Sequence, residues 1–340
     1  MSDALLDFLS SIGEEVVDAE EESFLLFSRS IPSNNLGFLD SRATTIDLTI
    51  NSHDYTIHQS PTLLSSTRDG GTTGAVLWKI TPLFASWISS VSSNPFWRSG
   101  QMLKKGEAAV IELGCGISGL VALTLAPLVR KYVATDQEYV RRFFRQNIDE
   151  NRHITAAAAS SKKGSSKKAR AAATGGGGTK RGKDTPNSSN IEFIPLDWEV
   201  DVPRNETLHA DHTTDEAGFD LVVSCDCIYN DALIPSFVRT CADICLLRSA
   251  ANKPSNEGEE KKNPTIAIIA QQQRSPDVFE AWLKETLRHF RVWRVEKFDV
   301  SPSSASAGEG GGGSSGLGDG SGYMVHVLVL RDDLPTSSSS

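Results

Sequence analysis

A glycine-rich segment in the first half of the sequence is the strongest candidate for chemistry. Gly114, Gly116 and Gly119 follow the apolar run Ala109–Ile111 and the acidic residue Glu112, with the spacing G-x-G-x-x-G. Glycines let the backbone approach a ligand closely, and the first N–H groups of the following helix can donate hydrogen bonds to it. The segment therefore predicts a ligand-binding turn between a buried strand and a helix, although this spacing alone also suits a dinucleotide.

An acidic residue in the next apolar segment makes this prediction more specific. Lys131–Asp136 is predicted to be a second strand, and Asp136 at its end lies 20 residues beyond Gly116. A carboxylate in this place can accept hydrogen bonds from both ribose hydroxyls of a nucleoside. A chance glycine turn with a surface aspartate is the alternative, but the order of strand, turn, helix, strand and acid favours a nucleoside site.

Two later apolar segments also end in residues that could bind a ligand. Asp197 and Trp198 follow one of them, and Cys225, Asp226 and Tyr229 end the next. Open α/β sheets bind their ligands beyond the carboxyl ends of the strands, so we expect these residues near the glycine-rich turn. The alternatives are that Trp198 only packs in the core and that Asp226 caps the following helix.

Trp78 is a further candidate, because it stands shortly before the glycine-rich segment and just before a helix predicted over Thr81–Val91. Core packing is the more common role of a tryptophan. Its position also suits a wall beside a bound ligand.

The predicted elements alternate between strands and helices, which is typical of a doubly wound parallel sheet. The last two of seven predicted strands, Arg291–Val300 and Tyr323–Arg331, have no helix between them. Such a pair forms a hairpin, so the last strand must run antiparallel. The sequence therefore predicts an α/β fold: a Rossmann-like, doubly wound, seven-stranded sheet with an antiparallel C-terminal hairpin. A nicotinamide-binding domain would be expected to continue with another crossover instead.

Composition divides the chain into an N-terminal extension, residues 1–72, and a larger domain, residues 73–335. Within the extension, Thr45–Gln59 alternates apolar and polar residues and predicts a short β element. Residues 156–190 and 301–322 are rich in Gly, Ser, Ala or Lys and predict disordered insertions into the larger domain, because they cannot bury enough apolar surface to fold.

Charge is distributed unevenly along the chain. Arg152–Asn190 holds nine Lys/Arg and one acidic residue, a net charge of +8, so the remainder carries −17 against −9 for the whole chain. An acidic body favours basic partners, and we expect no sequence-specific contact with nucleic acid.

Five cysteines without C-x-x-C spacing favour buried, reduced thiols, so no metal is expected. No segment approaches the ~20 apolar residues of a membrane span. We expect a cytoplasmic protein, or a nuclear one, without a membrane partner.

The ordered set of motifs resembles the seven-β-strand, class I methyltransferases, which use S-adenosylmethionine. The resemblance is carried by Glu112–Gly116 (ELGCG), Asp136, the pair Asp197-Trp198 and the C-terminal hairpin. It implies that S-adenosylmethionine is the cofactor.

Further details are similar to the methyltransferase-like 21 group of protein-lysine methyltransferases, and within it most similar to the fungal ribosomal lysine methyltransferases. These details are Trp78, the pattern Asp226-x-x-Tyr229 and the segments TPLFASWI, YVATDQEYV, VVSCDCIYND and IIAQQQRSPDVFEAWL. The likeness covers Thr73–Arg331 apart from the low-complexity insertions.

The resemblance implies a role for each candidate residue. The residues implied to bind the cofactor are Trp78, Glu112, Gly114, Cys115, Gly116, Asp136, Asp197, Trp198 and Cys225. Asp226 and Tyr229 are the implied catalytic residues: Asp226 would anchor the nitrogen of a substrate lysine, and Tyr229 would confine it. Because a carboxylate beside an ammonium has a lowered pKa, we expect water rather than Asp226 to take the lysine proton.

The resemblance also implies a basic protein substrate, namely a lysine of a 60S ribosomal protein of the L1 type. Two alternatives remain at this stage. The enzyme could methylate a translation factor or another basic protein, or the chain could be a non-catalytic module that binds a cofactor or RNA.

Overall fold

The computed structural model describes residues 1–30, 36–66, 72–100, 102–153, 190–208, 218–251, 263–298 and 316–332. The predicted insertion at 156–190 lies outside the described residues except for Asn190, and so do residues 301–315 of the second predicted insertion.

The described residues contain ten strands. They are β1 (Gly13–Val16), β2 (Thr45–Ile50), β3 (His53–His58), β4 (Ala109–Leu113), β5 (Lys131–Asp136), β6 (Ile191–Pro195), β7 (Leu221–Cys225), β8 (Ile266–Gln272), β9 (Phe290–Val295) and β10 (Tyr323–Leu330). Eight of them form one sheet in the order β1-β9-β10-β8-β7-β4-β5-β6, and β2 and β3 form a separate hairpin.

The main sheet confirms the predicted fold class. Strands β6, β5, β4, β7 and β8 pair in parallel. Strand β10 pairs antiparallel with both β8 and β9, so the last strand of the C-terminal hairpin is inserted between β9 and the parallel strand β8.

The strand count differs from the prediction, because an eighth strand joins the edge of the sheet. Strand β1 pairs antiparallel with β9, with Gly13 opposite Val295. Its two central residues are Glu14 and Glu15, and of its four residues only Val16 is buried. Such a short, acidic edge strand carries almost no alternating apolar signal, and its partner is distant in the sequence.

Helices cover both faces of the sheet. They are α1 (Asp3–Ile12), α2 (Ala19–Phe27), α3 (Pro61–Leu64), α4 (Ile80–Ile88), α5 (Pro95–Arg98), α6 (Leu120–Leu125), α7 (Arg141–Glu150), α8 (Asn205–Leu208), α9 (Ile234–Ala251) and α10 (Pro276–His289). One apolar core joins α1, α4, α6 and the β2–β3 hairpin to one face, and a second joins α2, α9 and α10 to the other. This three-layer arrangement brings the carboxyl ends of β4, β5, β7 and β8 to a common edge.

Asn147 of α7 joins the β2–β3 hairpin to the glycine-rich turn. Its side chain is fully buried. The amide oxygen accepts from the backbone N–H of His58 at 2.8 Å, and the amide nitrogen donates to the carbonyl oxygens of His58 at 3.0 Å and Ile117 at 2.8 Å. One buried amide therefore satisfies three backbone groups from two distant parts of the chain.

Replacing this amide should destabilise the fold. Asn147→Ala removes three hydrogen bonds and leaves buried backbone groups without partners, so we expect a loss of about 2–4 kcal/mol in the free energy of unfolding. Urea denaturation of both variants measures this loss. Gln146→Ala, at the exposed neighbouring position of the same helix, is the control and should change stability by less than about 0.5 kcal/mol. Equal stability of the two variants would contradict the assigned role of Asn147.

Candidate active site

The glycine-rich turn directly follows β4 and is shaped for close backbone approach. Gly114 and Gly116 have φ angles of +70° and +59°, in the left-handed region that glycine adopts without strain. A Cβ atom on Gly114 would lie 2.3 Å from the Sγ of Cys227 and 3.4 Å from the indole of Trp198. Glycine is therefore required at this position, and the predicted cofactor-binding residues Gly114 and Trp198 lie side by side.

Asp136, at the end of β5, is joined to the same turn. Its Oδ2 accepts from the backbone N–H of Gly116 at 2.8 Å, and its Oδ1 accepts from the N–H of Gln137 at 2.7 Å. Burial raises the pKa of Asp136 to about 6, and the two backbone hydrogen bonds oppose this shift. A carboxylate has about four lone pairs, so Asp136 keeps capacity to accept from the hydroxyls of a ribose.

Glu112 lies beneath the turn and supports it from inside the protein. Its side chain is buried, and its Oε2 accepts a hydrogen bond from the hydroxyl of Tyr132 at 2.8 Å. Burial raises the pKa of Glu112 to about 8; the Tyr132 hydrogen bond opposes this shift, and the nearby charge of Asp136 adds to it. The side chain is therefore protonated at neutral pH.

Cys115 belongs to the same buried group. Its backbone N–H donates to the carbonyl oxygen of Thr135 at 3.1 Å, and burial raises the pKa of its thiol well above the ordinary range. We infer that Cys115 shapes the turn as a neutral, apolar side chain.

Asp197 and Trp198 differ in what their side chains do. The ring of Trp198 packs edge-to-face against Phe237, with centroids 5.0 Å apart, and its buried indole N–H has no hydrogen-bond partner among the described residues. The carboxylate of Asp197 accepts from the backbone N–H of Glu199 at 3.0 Å and so closes its own turn. The structure therefore places Trp198 against Gly114, whereas the Asp197 carboxylate takes part in local turn structure.

The segment from Thr73 to Trp78 crosses the glycine-rich turn. The carbonyl oxygen of Gly74 accepts from the backbone N–H of Ile117 at 2.9 Å. The indole N–H of Trp78 donates to the carbonyl oxygen of Thr73 at 3.0 Å. Tyr229 also hydrogen-bonds with Thr73, which opposes the rise that burial causes in the pKa of the Tyr229 phenol. Trp78 and Tyr229 therefore meet at one short segment.

Asp226 stands where β7 leaves the sheet, in an unusual backbone conformation. Its φ angle is +63°, which is uncommon for a residue with a side chain, and its backbone N–H donates to the carbonyl oxygen of Ala270 at 2.7 Å. Asn230, not Asp226, caps the helical turn that follows, since its side chain accepts from the N–H of Ala232. The alternative of a helix-capping role for Asp226 is therefore wrong.

The carboxylate of Asp226 is buried and paired. Its Oδ2 forms an ion pair with Arg274, and its Oδ1 accepts from the backbone N–H of Gln272 at 3.3 Å. Burial raises the pKa of Asp226, and the Arg274 guanidinium and these hydrogen bonds oppose the rise. The guanidinium carbon of Arg274 lies 4.3 Å from the ring centroid of Trp78. Arg274 therefore connects Trp78, which was predicted to bind the cofactor, to Asp226, the predicted catalytic acid.

Cys225 lies between these groups and the helical layer. Its Sγ is 3.9 Å from the hydroxyl of Thr81 in α4, and burial raises the pKa of its thiol well above the ordinary range. The structure shows a packing contact for Cys225 and brings it next to Asp226 in the chain.

Sequence reasoning missed two residues of this site, Arg274 and Cys227. Arg274 follows β8 in the sequence QQQR, so its place after a strand of the parallel sheet was a usable signal. Cys227 carried no such signal, because its contact with Gly114 depends on the left-handed turn at Asp226.

A comparison with protein families gives a match to about a third of the chain. The family model described as lysine methyltransferase matches residues 58–164, the part of the chain that contains β4, the glycine-rich turn and Asp136. This match confirms the predicted resemblance to lysine methyltransferases.

Two individual relatives also bear the name of a lysine methyltransferase, and a third bears the name of a different enzyme. The chain is 29% identical over 253 residues to ribosomal lysine N-methyltransferase 5 of Zygosaccharomyces rouxii, which covers 71% of this chain and 72% of that protein. It is 26% identical over 276 residues to the protein of the same name in Lachancea thermotolerans, covering 70% and 75%. It is also 27% identical over 298 residues to a Schizosaccharomyces pombe protein named diaminohydroxyphosphoribosylamino-pyrimidine deaminase, covering 87% of this chain but 57% of that protein.

S-adenosylmethionine is the methyl donor of such methyltransferases, and the residues present fit it. The turn at Gly114 and Gly116 is held in a left-handed conformation, Asp136 keeps acceptor capacity for the ribose, and Trp198 offers an apolar ring whose buried N–H has no hydrogen-bond partner among the described residues. Among the described residues, no helix has the length and apolar character needed to cross a membrane.

The protonated state of Glu112 should make the stability of the protein depend on pH. Its pKa rises from an ordinary value of about 4.5 to about 8 on folding. The stabilisation is complete below pH 4.5 and is lost as the pH rises towards 8. Glu112→Gln keeps the shape and an acceptor for Tyr132, so across this range its free energy of unfolding should fall on the order of 4 kcal/mol less than that of the wild type. Chemical denaturation at a series of pH values measures the difference, and parallel pH curves would contradict this assignment.

Proposed function

We propose that this chain is an S-adenosylmethionine-dependent protein-lysine N-methyltransferase that acts on a large-subunit ribosomal protein, in particular one of the L1 type. The observation that carries this proposal is the juxtaposition of two groups at one edge of the sheet. The glycine-rich turn with Asp136 suits the cofactor, and the buried carboxylate of Asp226 beside the indole of Trp78 suits a cationic side chain. The segment from Thr73 to Trp78 contacts both groups.

The chemistry assigns separate tasks to the cofactor and the protein. When bound, S-adenosylmethionine supplies a methyl group on a positively charged sulfur, so the leaving group needs no protonation. The protein must hold the lysine nitrogen in line and allow it to become neutral, because an ammonium with a pKa near ~10.4 has no free electron pair. Asp226 would hold the nitrogen by charge and hydrogen bond, and Tyr229, half-exposed at the rim, would limit its movement.

A carboxylate that binds an ammonium is a weak base, so Asp226 should not be the final proton acceptor. Water at the exposed rim near Tyr229 is the more suitable acceptor. Asp226 is then an anchor whose charge also favours the entry of a cationic side chain from solvent.

Two observations support a basic ribosomal substrate. The relatives from Zygosaccharomyces rouxii and Lachancea thermotolerans bear the name ribosomal lysine N-methyltransferase 5. In addition, the chain outside Arg152–Asn190 carries a net charge of −17, which attracts basic proteins. The L1 type is our specific choice among ribosomal proteins.

The name of the Schizosaccharomyces pombe relative describes a different reaction, a deamination. The alignment covers only 57% of that protein, so the named activity need not belong to the shared part. We therefore do not transfer deamination to this chain.

Mass spectrometry of large-subunit ribosomal proteins tests the proposed substrate. Proteins from cells that lack the gene should have lost a methyl-sized mass increment on one lysine of the L1-type protein, and the purified enzyme with S-adenosylmethionine should restore it. Restoration on another protein would redirect the substrate assignment, and absence of any methylated lysine would overturn the function.

The two acids Asp226 and Asp136 should affect different steps. Asp226→Ala removes the anchor for the lysine, so methyl transfer should fall by at least about 100-fold while the affinity for S-adenosylhomocysteine changes less than about twofold. Asp136→Ala removes the ribose acceptor, so this affinity should fall by about 10–100-fold. Calorimetry measures the affinity for S-adenosylhomocysteine, and a methylation assay measures the rate of methyl transfer.

Matched controls are available close to each acid. Asp231 and Glu138 are exposed acidic residues near Asp226 and Asp136 in the chain, and their alanine variants should retain both properties. An equal loss of cofactor affinity in Asp226→Ala and Asp136→Ala would contradict the division between the two groups.

A further inference from the structure

Arg274 lies between the carboxylate of Asp226 and solvent. The side chain of Asp226 is only 3% exposed, whereas that of Arg274 is 24% exposed. Arg274 pairs with Oδ2 of Asp226, and the backbone N–H of Gln272 donates to Oδ1. Both oxygens of the predicted lysine anchor are therefore engaged by the protein itself.

The guanidinium of Arg274 is held by more than this ion pair. Its carbon lies 4.3 Å from the ring centroid of Trp78, and one nitrogen is 3.5 Å from the side-chain oxygen of Gln272. Trp78 is fixed in turn by its hydrogen bond to Thr73 and by the ring of Phe38, with centroids 4.2 Å apart. A carboxylate, an indole face and an amide oxygen thus form a binding site for one singly charged cation.

The same three groups suit the ammonium of a lysine. Carboxylates and indole faces attract ammonium and guanidinium ions alike, and the two cations repel each other at close range. A lysine nitrogen that approaches Oδ2 of Asp226 along the face of Trp78 meets the guanidinium of Arg274. The two cations therefore compete for one place.

We propose that Arg274 is an internal competitor of the substrate lysine: it occupies the cation site formed by Asp226 and Trp78, and the substrate ammonium must displace it to be methylated. This inference rests on the proposed function and assigns Arg274 as a positioning residue that sets the affinity for substrate. Its partly exposed side chain gives the guanidinium a path to solvent.

Exchange of Arg274 for the substrate ammonium keeps the buried carboxylate of Asp226 paired with a cation at all times. A carboxylate as buried as Asp226 is costly to leave without a cation. Arg274 supplies that cation between turnovers, and the substrate supplies it during binding. The return of Arg274 would also favour release of the methylated lysine.

Kinetics of Arg274 variants test the proposal, with the L1-type ribosomal protein as substrate. If Arg274 competes with lysine, Arg274→Ala should lower the KM for this protein by about tenfold while kcat changes less than about threefold, because the open site is no longer a minor population. Guanidinium chloride at millimolar concentration should raise the KM of Arg274→Ala again and act competitively against the ribosomal protein. Arg274→Lys, which keeps the charge, should retain a KM near that of the wild type.

Arg291 provides a matched control. It also stacks on an indole, with its guanidinium carbon 4.9 Å from the Trp293 ring centroid, and it pairs with Glu15 at 2.6 Å, but it lies in β9. Arg291→Ala should leave the KM unchanged and insensitive to guanidinium. A fall in kcat of Arg274→Ala with an unchanged or raised KM would overturn the proposal, since Arg274 would then assist the reaction instead of competing.

A measurement on the wild-type protein covers the case in which Arg274→Ala does not fold. The guanidinium Nε–H resonance of Arg274, assigned with Arg274→Lys, is followed by NMR during titration with n-butylammonium, which has the structure of a lysine side chain. We expect this resonance to shift and its exchange with solvent to accelerate, whereas the Arg291 resonance stays constant. An Arg274 resonance that does not change while butylammonium binds, or a failure of butylammonium to bind, would overturn the proposal.

The methylation assay distinguishes a failure of the competitor role of Arg274 from a failure of the proposed methyltransferase function. If the wild-type enzyme methylates the ribosomal protein but Arg274 fails these tests, only the competitor role is wrong. If the wild-type enzyme methylates no ribosomal protein, the proposed function fails, and the role of Arg274 with it.

Discussion

The contact between the backbone of Gly74 and the glycine-rich turn holds the candidate active site together. The carbonyl oxygen of Gly74 accepts from the N–H of Ile117, and a Cβ on Gly116 would lie 3.2 Å from that same oxygen. The segment that continues from Gly74 carries Trp78, whose ring stacks on Arg274. One short stretch of backbone therefore contacts the glycine-rich turn at Gly74 and the cation site at Trp78.

Burial of acids is the second constraint on the site. Glu112, Asp136 and Asp226 lie at or near the ends of parallel strands, and burial raises the pKa of all three. The free-energy cost of burying a carboxyl group is offset differently in each. Glu112 remains protonated beside Tyr132, Asp136 accepts hydrogen bonds from two backbone N–H groups, and Asp226 pairs with a cation. Such differences let neighbouring carboxyl groups serve different purposes at one pH. A glutamate that stays neutral supports the turn without repelling the charge on Asp136.

The sequence predicts more of the scaffold than of the side-chain contacts. The alternation of strands and helices and the C-terminal hairpin follow from local apolar patterns, and the place of Asp136 beside the glycine-rich turn follows from the order of strand, turn, helix, strand and acid. The pair Asp226–Arg274 could not be predicted in the same way. It depends on a left-handed turn at a residue that is not glycine, and on side chains from two loops reaching one point. The Asp197 carboxylate also makes a contact that the motif does not predict, since one of its oxygens accepts from the backbone N–H of Glu199 in a local turn.

The N-terminal residues take part in the cation site as well as in the fold. The backbone N–H of Gly37 donates to the side-chain oxygen of Gln272 at 2.7 Å, and the ring of Phe38 packs on Trp78. Gln272 also supplies the N–H that binds Asp226, so the residues around Gly37 orient both the indole and the amide beside Arg274. The outer wall of the site therefore comes from the chain before the glycine-rich turn, and its inner carboxylate from the chain after it. Strength and selectivity for a cation depend on how these two parts pack, not on the Asp226-x-x-Tyr229 motif alone.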